Sequence, residues 1–361
     1  MFGEKTAHEA QPEVVGTDRR RVIQSAGAAA LGALGIDRTV RAAAAQDDAT
    51  PATQSDGRTI ESWKADGHQI IDFRNRPPLT PFSGLFNVKM NNLQVKRLNS
   101  INRGANAVSP AMDRDLIDTP EGMEQWWTEI DEAGIDGVVV NGRYAAGLPN
   151  LSMDNDTLEA LQQEYPGRLF GLAQVNLDQD PDITAAEVER AIKEQGLFGA
   201  NLEPGYQSKG FGEIGTNFDD PSFWPILEVL AETGAFLLLQ TGQFAGADIS
   251  FNNPPALDRL LSSFPNVNVV LAHGLYPYIQ EALGLANKHP QLHISPDVYM
   301  FWPGGQLYQM NIELLPDQFL FGSAFPFAAM TPIVEDSLAL PISDDVMERY
   351  MYGNAARLLR L

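Results

Sequence analysis

From residue 68 onward the chain repeats one pattern, and that pattern restricts the fold more than any motif does. Short apolar runs at 69–73, 137–140, 169–175, 199–203, 235–240, 267–273, 292–297 and 319–323 alternate with amphipathic stretches at 121–133, 156–165, 185–195, 223–233, 255–264 and 278–288. The runs have strand length, and the stretches between them carry apolar residues at helical spacing. Strand–helix alternation of this kind builds a parallel sheet, because parallel neighbours need a crossover that a helix supplies. Eight such units predict a closed (β/α)8 TIM barrel in a single domain. The alternative is a doubly wound open sheet, but no glycine-rich phosphate loop follows the first run. With 44% hydrophobic residues in 361, the chain can fill such a core. Composition is uniform after residue 59, with no internal repeat or second-domain boundary.

The first 66 residues read differently. Residues 1–18 are polar, Arg19-Arg20-Arg21 follow, and a mild Ala-, Gly- and Leu-rich stretch runs to Ile36 before the small residues Ala42 to Ala45. A basic region, a short apolar core and a small-residue cleavage site make an export signal, and the paired arginines resemble a twin-arginine signal. The expected organisation is a signal peptide over 1–45, a polar linker over 46–66 and the barrel over 67–361, with a long insertion at 79–120. The protein is then extracellular, periplasmic or at the cell surface. The apolar core is too short for a membrane-spanning helix, and without cysteine there is no lipid anchor on a thiol.

Charge narrows the partners. The formal net charge is −22, and removing 1–45 takes away six basic and five acidic groups, leaving −23. A surface of that sign repels phosphate backbones and anionic lipid heads, so nucleic acid and membrane surfaces are excluded as partners. The acids are scattered, and seven lysines stand against eighteen arginines. Two readings fit: a surface adapted to high salt, or an ordinary acidic enzyme. A small-molecule organic acid is the expected partner, with a homo-oligomer open. The absence of cysteine removes thiolate nucleophiles, iron–sulfur clusters and cysteine-ligated zinc.

Three connections are long: 79–120, 204–222 and 241–254. Each follows a strand, so each belongs at the C-terminal face where barrel active sites lie. The residues ending the strands carry the specific signal. Ile71-Asp72-Phe73-Arg74-Asn75-Arg76-Pro77, Leu239-Gln240-Thr241-Gly242, Val270-Leu271-Ala272-His273-Gly274, Leu320-Phe321-Gly322-Ser323-Ala324-Phe325-Pro326 and Gly353-Asn354-Ala355-Ala356-Arg357 occur in that order over 69–361. In this respect the chain resembles the amidohydrolase-related family of barrel hydrolases and decarboxylases. That family usually writes its first strand Asp-x-His-x-His with both histidines on a metal, its fifth with a His, and its eighth Gly-Ser-Asp-x-Pro. Here Arg74 and Arg76, Gln240 and Ala324 stand at those positions, and only His273 of the sixth strand is retained.

Arginine stays protonated and offers no lone pair, and His68, His289 and His293 fall away from the strand ends. The expectation is therefore no metal and no cofactor, with a divalent cation held by carboxylates as the alternative. Arg74 and Arg76, two apart on a strand, share a face with Asp72. The predicted mouth is ringed by Arg74, Arg76, Arg143, Glu203, Gln240, His273, Asp297 and Tyr299. An arginine fork suits a substrate carboxylate, and His273 suits general acid or base work. Glu203 or Asp297 would orient it or take a second proton, while Gln240 and Tyr299 would donate hydrogen bonds. The bland reading makes the arginines plugs salt-bridged to Glu203 and Asp297, and Trp126-Trp127 packing. The resemblance implies hydrolysis of a carboxylated ester, lactone or amide. Decarboxylation of an organic acid, or a non-catalytic barrel that binds one, stand as alternatives.

Overall fold

The computed structural model describes residues 57–82, 114–144, 152–203, 217–243 and 249–361. The export signal, most of the linker and most of the 79–120 insertion lie outside the described residues, as do parts of the other two long connections.

Seven parallel strands form one sheet in sequence order: β1 (Ile71–Asn75), β2 (Gly137–Asn141), β3 (Leu169–Gln174), β4 (Gly199–Leu202), β5 (Phe236–Gln240), β6 (Val269–Ala272) and β7 (Leu292–Ser295). The eighth apolar run, residues 319–323, does not form a full ladder. It joins β7 through a single parallel bridge, Ile294 with Phe319, and meets β1 where Phe73 N donates to Phe321 O at 2.9 Å. The sheet thereby comes round on itself as a single-domain (β/α)8 barrel.

Several helices begin earlier than their apolar periodicity suggests, because their starts are set by caps. The helix expected from 185 starts at Pro181, where Asp180 accepts from Asp182 N; Pro120–Glu132 and Pro254–Ser263 likewise start at a proline behind Thr119 and Asn253. A proline at the first helical position loses no hydrogen bond, and the capping oxygen satisfies an otherwise orphaned N–H.

Inside the barrel the lower layer is apolar: Phe73, Val139, Leu172, Phe236, Leu238, Val270 and Leu320 pack with Ala355, Ala356, Leu358 and Leu359 of the closing helix Asn354–Leu359. Strand residues two apart share a face. The next layer toward the strand C-termini therefore carries Asn141 above Val139, Gln240 above Leu238 and Gly322 above Leu320. There the core becomes polar.

Candidate active site

β1 breaks this alternation. Asp72 pairs with Val138 but Asn75 pairs with Val140, so three steps on β1 match two on β2. One extra residue in a strand is a bulge, which re-aims the following side chain. Phe73 lies in the interior cluster, and the base of Arg74 stands against Gly322. The expectation that Asp72, Arg74 and Arg76 share one face is corrected: the Asp72 carboxylate turns to Ser323 and Asn75.

Arg74 is 2% exposed. Its Nη1 donates to Asn141 Oδ1 at 2.8 Å and its Nη2 to Gln240 Oε1 at 2.8 Å. Gln240 Nε2 donates in turn to Asn201 Oδ1 at 2.9 Å, and Asn201 Nδ2 to Gly142 O at 2.7 Å. Neutral carbonyl oxygens thus hold the Arg74 guanidinium, whereas the sequence pointed to Glu203 and Asp297. Those carboxylates have other partners. Glu203 Oε2 pairs with Arg143 Nη2 at 3.1 Å, both side chains almost fully buried, and the Arg143 backbone is fixed by a two-way bridge to Met153. Asp297 Oδ2 lies 2.8 Å from His273 Nδ1 and accepts from His273 N at 3.1 Å. The ring contact is off the line of the N–H, making it a close electrostatic contact rather than a straight hydrogen bond. Ser295 Oγ donates to Asp297 Oδ1.

His273 Nε2 stands 3.5 Å from Arg74 Nη2. Burial lowers the His273 pKa, and the charges of Arg74 and Arg76 lower it further, while Asp297 opposes them. The ring is therefore held neutral near pH 7, with Nδ1 toward the carboxylate and the Nε2 lone pair toward Arg74. His273 (φ 62°), Asp297 (φ 55°) and Ala324 (φ 55°) all take left-handed backbone at the ends of consecutive strand positions. Such conformations cost roughly 1–3 kcal/mol each and persist where surroundings enforce them. Tyr299 packs edge-on to His273 with centroids 5.6 Å apart and stacks on Tyr276 at 4.5 Å, with Trp302 against both. Beside the imidazole this forms an aromatic wall. Arg76 is buried with its guanidinium 6.0 Å from the Phe82 ring.

All eight residues singled out from the sequence are buried at or beside the mouth. Sequence reasoning passed over Asn141, Asn201 and Ser295, which hold Arg74, Gln240 and Asp297. Their signal was available, since Asn141 and Ser295 end strands and Asn201 sits two before Glu203. Trp126 is core, as expected, and it also donates from Nε1 to Asn75 Oδ1 at 3.0 Å. His289 pairs with Asp258 and His293 faces Asn268, both away from this centre.

A family model described as amidohydrolase matches residues 129–361. A crystallised TIM-barrel protein from Bordetella bronchiseptica, itself uncharacterised, is 30% identical with a TM-score of 0.70, covering 81% of this chain and 98% of that one. Gamma-resorcylate decarboxylase of Polaromonas sp. is 24% identical over 247 residues, 57% of this chain and 75% of that protein. A dihydroxybenzoic acid decarboxylase from Polaromonas sp., crystallised with manganese and 2-nitroresorcinol, has a TM-score of 0.58 at 18% identity, covering 81% of this chain and 97% of that one.

The expectation of no cofactor is corrected by that last structure, because a protein of the same fold holds a divalent metal. The donors at this mouth do not fit such an ion. Arg74 has no lone pair to give, and Asn141 and Gln240 have turned their carbonyls to it. Glu203 and Asp297 are committed to Arg143 and His273, so the alternative of a carboxylate-held cation gains nothing. Among the described residues no three His, Asp or Glu side chains converge, and the chemistry derived for these residues is their own. The matched model and the Bordetella relative together place the chain: it belongs to the amidohydrolase family.

Proposed function

We propose that this protein is a decarboxylase acting on a small carboxylated, aromatic-type organic acid. One observation carries the reading: the Arg74 guanidinium and the lone-pair nitrogen of His273 lie 3.5 Å apart in a buried mouth, beside the wall of Tyr299 and Tyr276. Support comes from the similarity to gamma-resorcylate and dihydroxybenzoic acid decarboxylases. These favour decarboxylation over the hydrolysis that the family resemblance first suggested.

Arg74, with the charges of Arg76 and Arg143 nearby, draws an anionic substrate into a low-dielectric site. That places the carboxylated carbon against His273. The Nε2 nitrogen takes a proton, from solvent or from an acidic O–H of the substrate, and delivers it to the carbon bearing the carboxylate. The C–C bond then breaks, its electron pair stays on the carbon skeleton, and CO2 leaves. One carboxylate and one proton give one C–H product and one CO2. Asp297 steadies the imidazolium while the proton is in transit.

The His273–Asp297 pair also suits activation of water, and on that observation hydrolysis of a carboxylated lactone or amide is the second reading. Incubating the protein with 2,6-dihydroxybenzoate and other hydroxybenzoates, and measuring CO2 and loss of substrate absorbance, separates the two. CO2 release abolished by His273→Gln is the expected result. Turnover of lactones or amides with no CO2 from any acid would leave only hydrolysis. We also infer export, from Arg19-Arg20-Arg21 and the Ala/Gly-rich stretch behind them; a reporter fused to residues 1–60 tests it.

A further inference from the structure

Asp72 touches none of the atoms assigned to the chemistry, yet it is fully buried and its carboxylate accepts four hydrogen bonds. Oδ1 receives Arg74 N (3.0 Å) and Ser323 N (2.9 Å); Oδ2 receives Ser323 Oγ (2.6 Å) and Asn75 Nδ2 (2.7 Å). Asn75, three residues on, does the same for the second arginine, its Oδ1 receiving Arg76 N at 2.8 Å and Trp126 Nε1 at 3.0 Å. The backbone N–H of each arginine is thus captured by a side chain of this pair. That capture has a reason in the ladder. The extra residue of a bulge is left unpaired, and a buried amide must find another acceptor.

The same carboxylate ties β1 to residue 323, on the run that joins the sheet by a single bridge. Between β1 and this run the backbone contact is Phe73 N to Phe321 O, and the Asp72 contacts to Ser323 reinforce it. Keeping this carboxyl ionised is unfavourable, since burial pushes its pKa up to about 6; the groups whose charge couples to it are Arg74 on its own strand and the Tyr350 phenol. Such a costly group at the foot of a site is a mark of functional placement.

We infer that Asp72 and Asn75 are positioning residues, holding the β1 bulge in the form that presents Arg74 and Arg76 at the mouth. The inference rests on the reading of that mouth as a carboxylate site. In Asp72→Asn the shape is kept, but one acceptor oxygen becomes an NH2 set against N–H and O–H donors. A crystal structure of this variant should show Arg74 parted from Asn141 and Gln240, and calorimetry should show 2,6-dihydroxybenzoate binding weakened about tenfold or more. The double variant Asp72→Asn/Arg74→Gln should bind no worse than Arg74→Gln alone. Arg74 found in place, or losses that add, would overturn the inference. If Asp72→Asn does not fold, Ser323→Ala removes one donor only; its smaller loss of binding should vanish in the Arg74→Gln background, and persistence of that loss refutes the role. If the wild type binds no benzoate at all, the carboxylate-site reading fails, while the position of Arg74 in the variant crystal still decides the role of Asp72.

Discussion

Asp297 grips His273 twice with one carboxylate oxygen: Oδ2 lies 3.1 Å from the backbone nitrogen and 2.8 Å from ring Nδ1. The backbone contact holds residue 273 in its left-handed conformation, and the ring contact fixes which nitrogen faces Arg74. A single side chain at the end of β7 therefore sets both the place and the tautomer of the imidazole at the end of β6.

This pair predicts opposite pKa changes. Asp297 raises the His273 pKa and Arg74 lowers it, so Asp297→Asn should move the imidazole titration to lower pH and Arg74→Gln should move it to higher pH. NMR titration of the labelled ring reads both. Turnover in Asp297→Asn should fall by about a hundredfold or more, the range of general acid–base contributions. Shifts of the same sign in both variants would contradict the arrangement.

Gly322 is where the mouth has no spare room. A Cβ there would lie 2.4 Å from Asp297 Oδ1, 2.9 Å from Ser295 Oγ and 3.0 Å from Arg74 Cβ. Gly322→Ala should cost about 1–3 kcal/mol by overpacking, and it should impair turnover out of proportion because both charged partners must move. Urea unfolding with steady-state kinetics checks this; an alanine accommodated at no cost to either would refute the packing.

Arg143 and Glu203 form a buried ion pair. Removing either partner alone strands a charge, so Arg143→Met or Glu203→Leu should each destabilise by about 3–5 kcal/mol, with the double variant recovering most of the loss. Additive losses in urea unfolding would show that the two side chains do not act as a pair.

Two buried groups should pull stability in opposite directions with pH. Burial lowers the His293 pKa to about 4, from 6.5. Its contribution is therefore present above pH 6.5 and is lost as pH falls toward 4. Burial raises the Asp72 pKa to about 6, from 3.8, so the folded state binds that proton more tightly, and stability from this group falls as pH rises from 3.8 to 6. Relative to His293→Gln, the wild type should weaken by about 1 kcal/mol per pH unit on acidification below 6.5; relative to Asp72→Asn, it should strengthen by a similar amount below 6. Thermal melts of the three proteins between pH 4.5 and 7.5 test both signs.

The order of the βα units, and the strand ends to within about two residues, could be read from the chain, because periodicity is a local property. The eighth run was legible as apolar but not as a poor ladder, since pairing depends on what β1 and β7 offer it. Likewise, His273 and the arginines could be located from strand ends and motif order. Their partners could not.

What the sequence determined alone is therefore a closed set of eight βα units, a mouth rich in arginine, and one histidine placed to work there. Tertiary structure decided that Arg143 takes Glu203, that His273 takes Asp297, and that Arg74 rests on Asn141 and Gln240. It also placed one extra residue in β1, which turns Arg74 inward and leaves Asp72 to bind the seam at Ser323. These are contacts between residues 24 to 251 positions apart. Each depends on a register and a bulge fixed only when the barrel closes, because the charge of a side chain is local information and its nearest counter-charge is not.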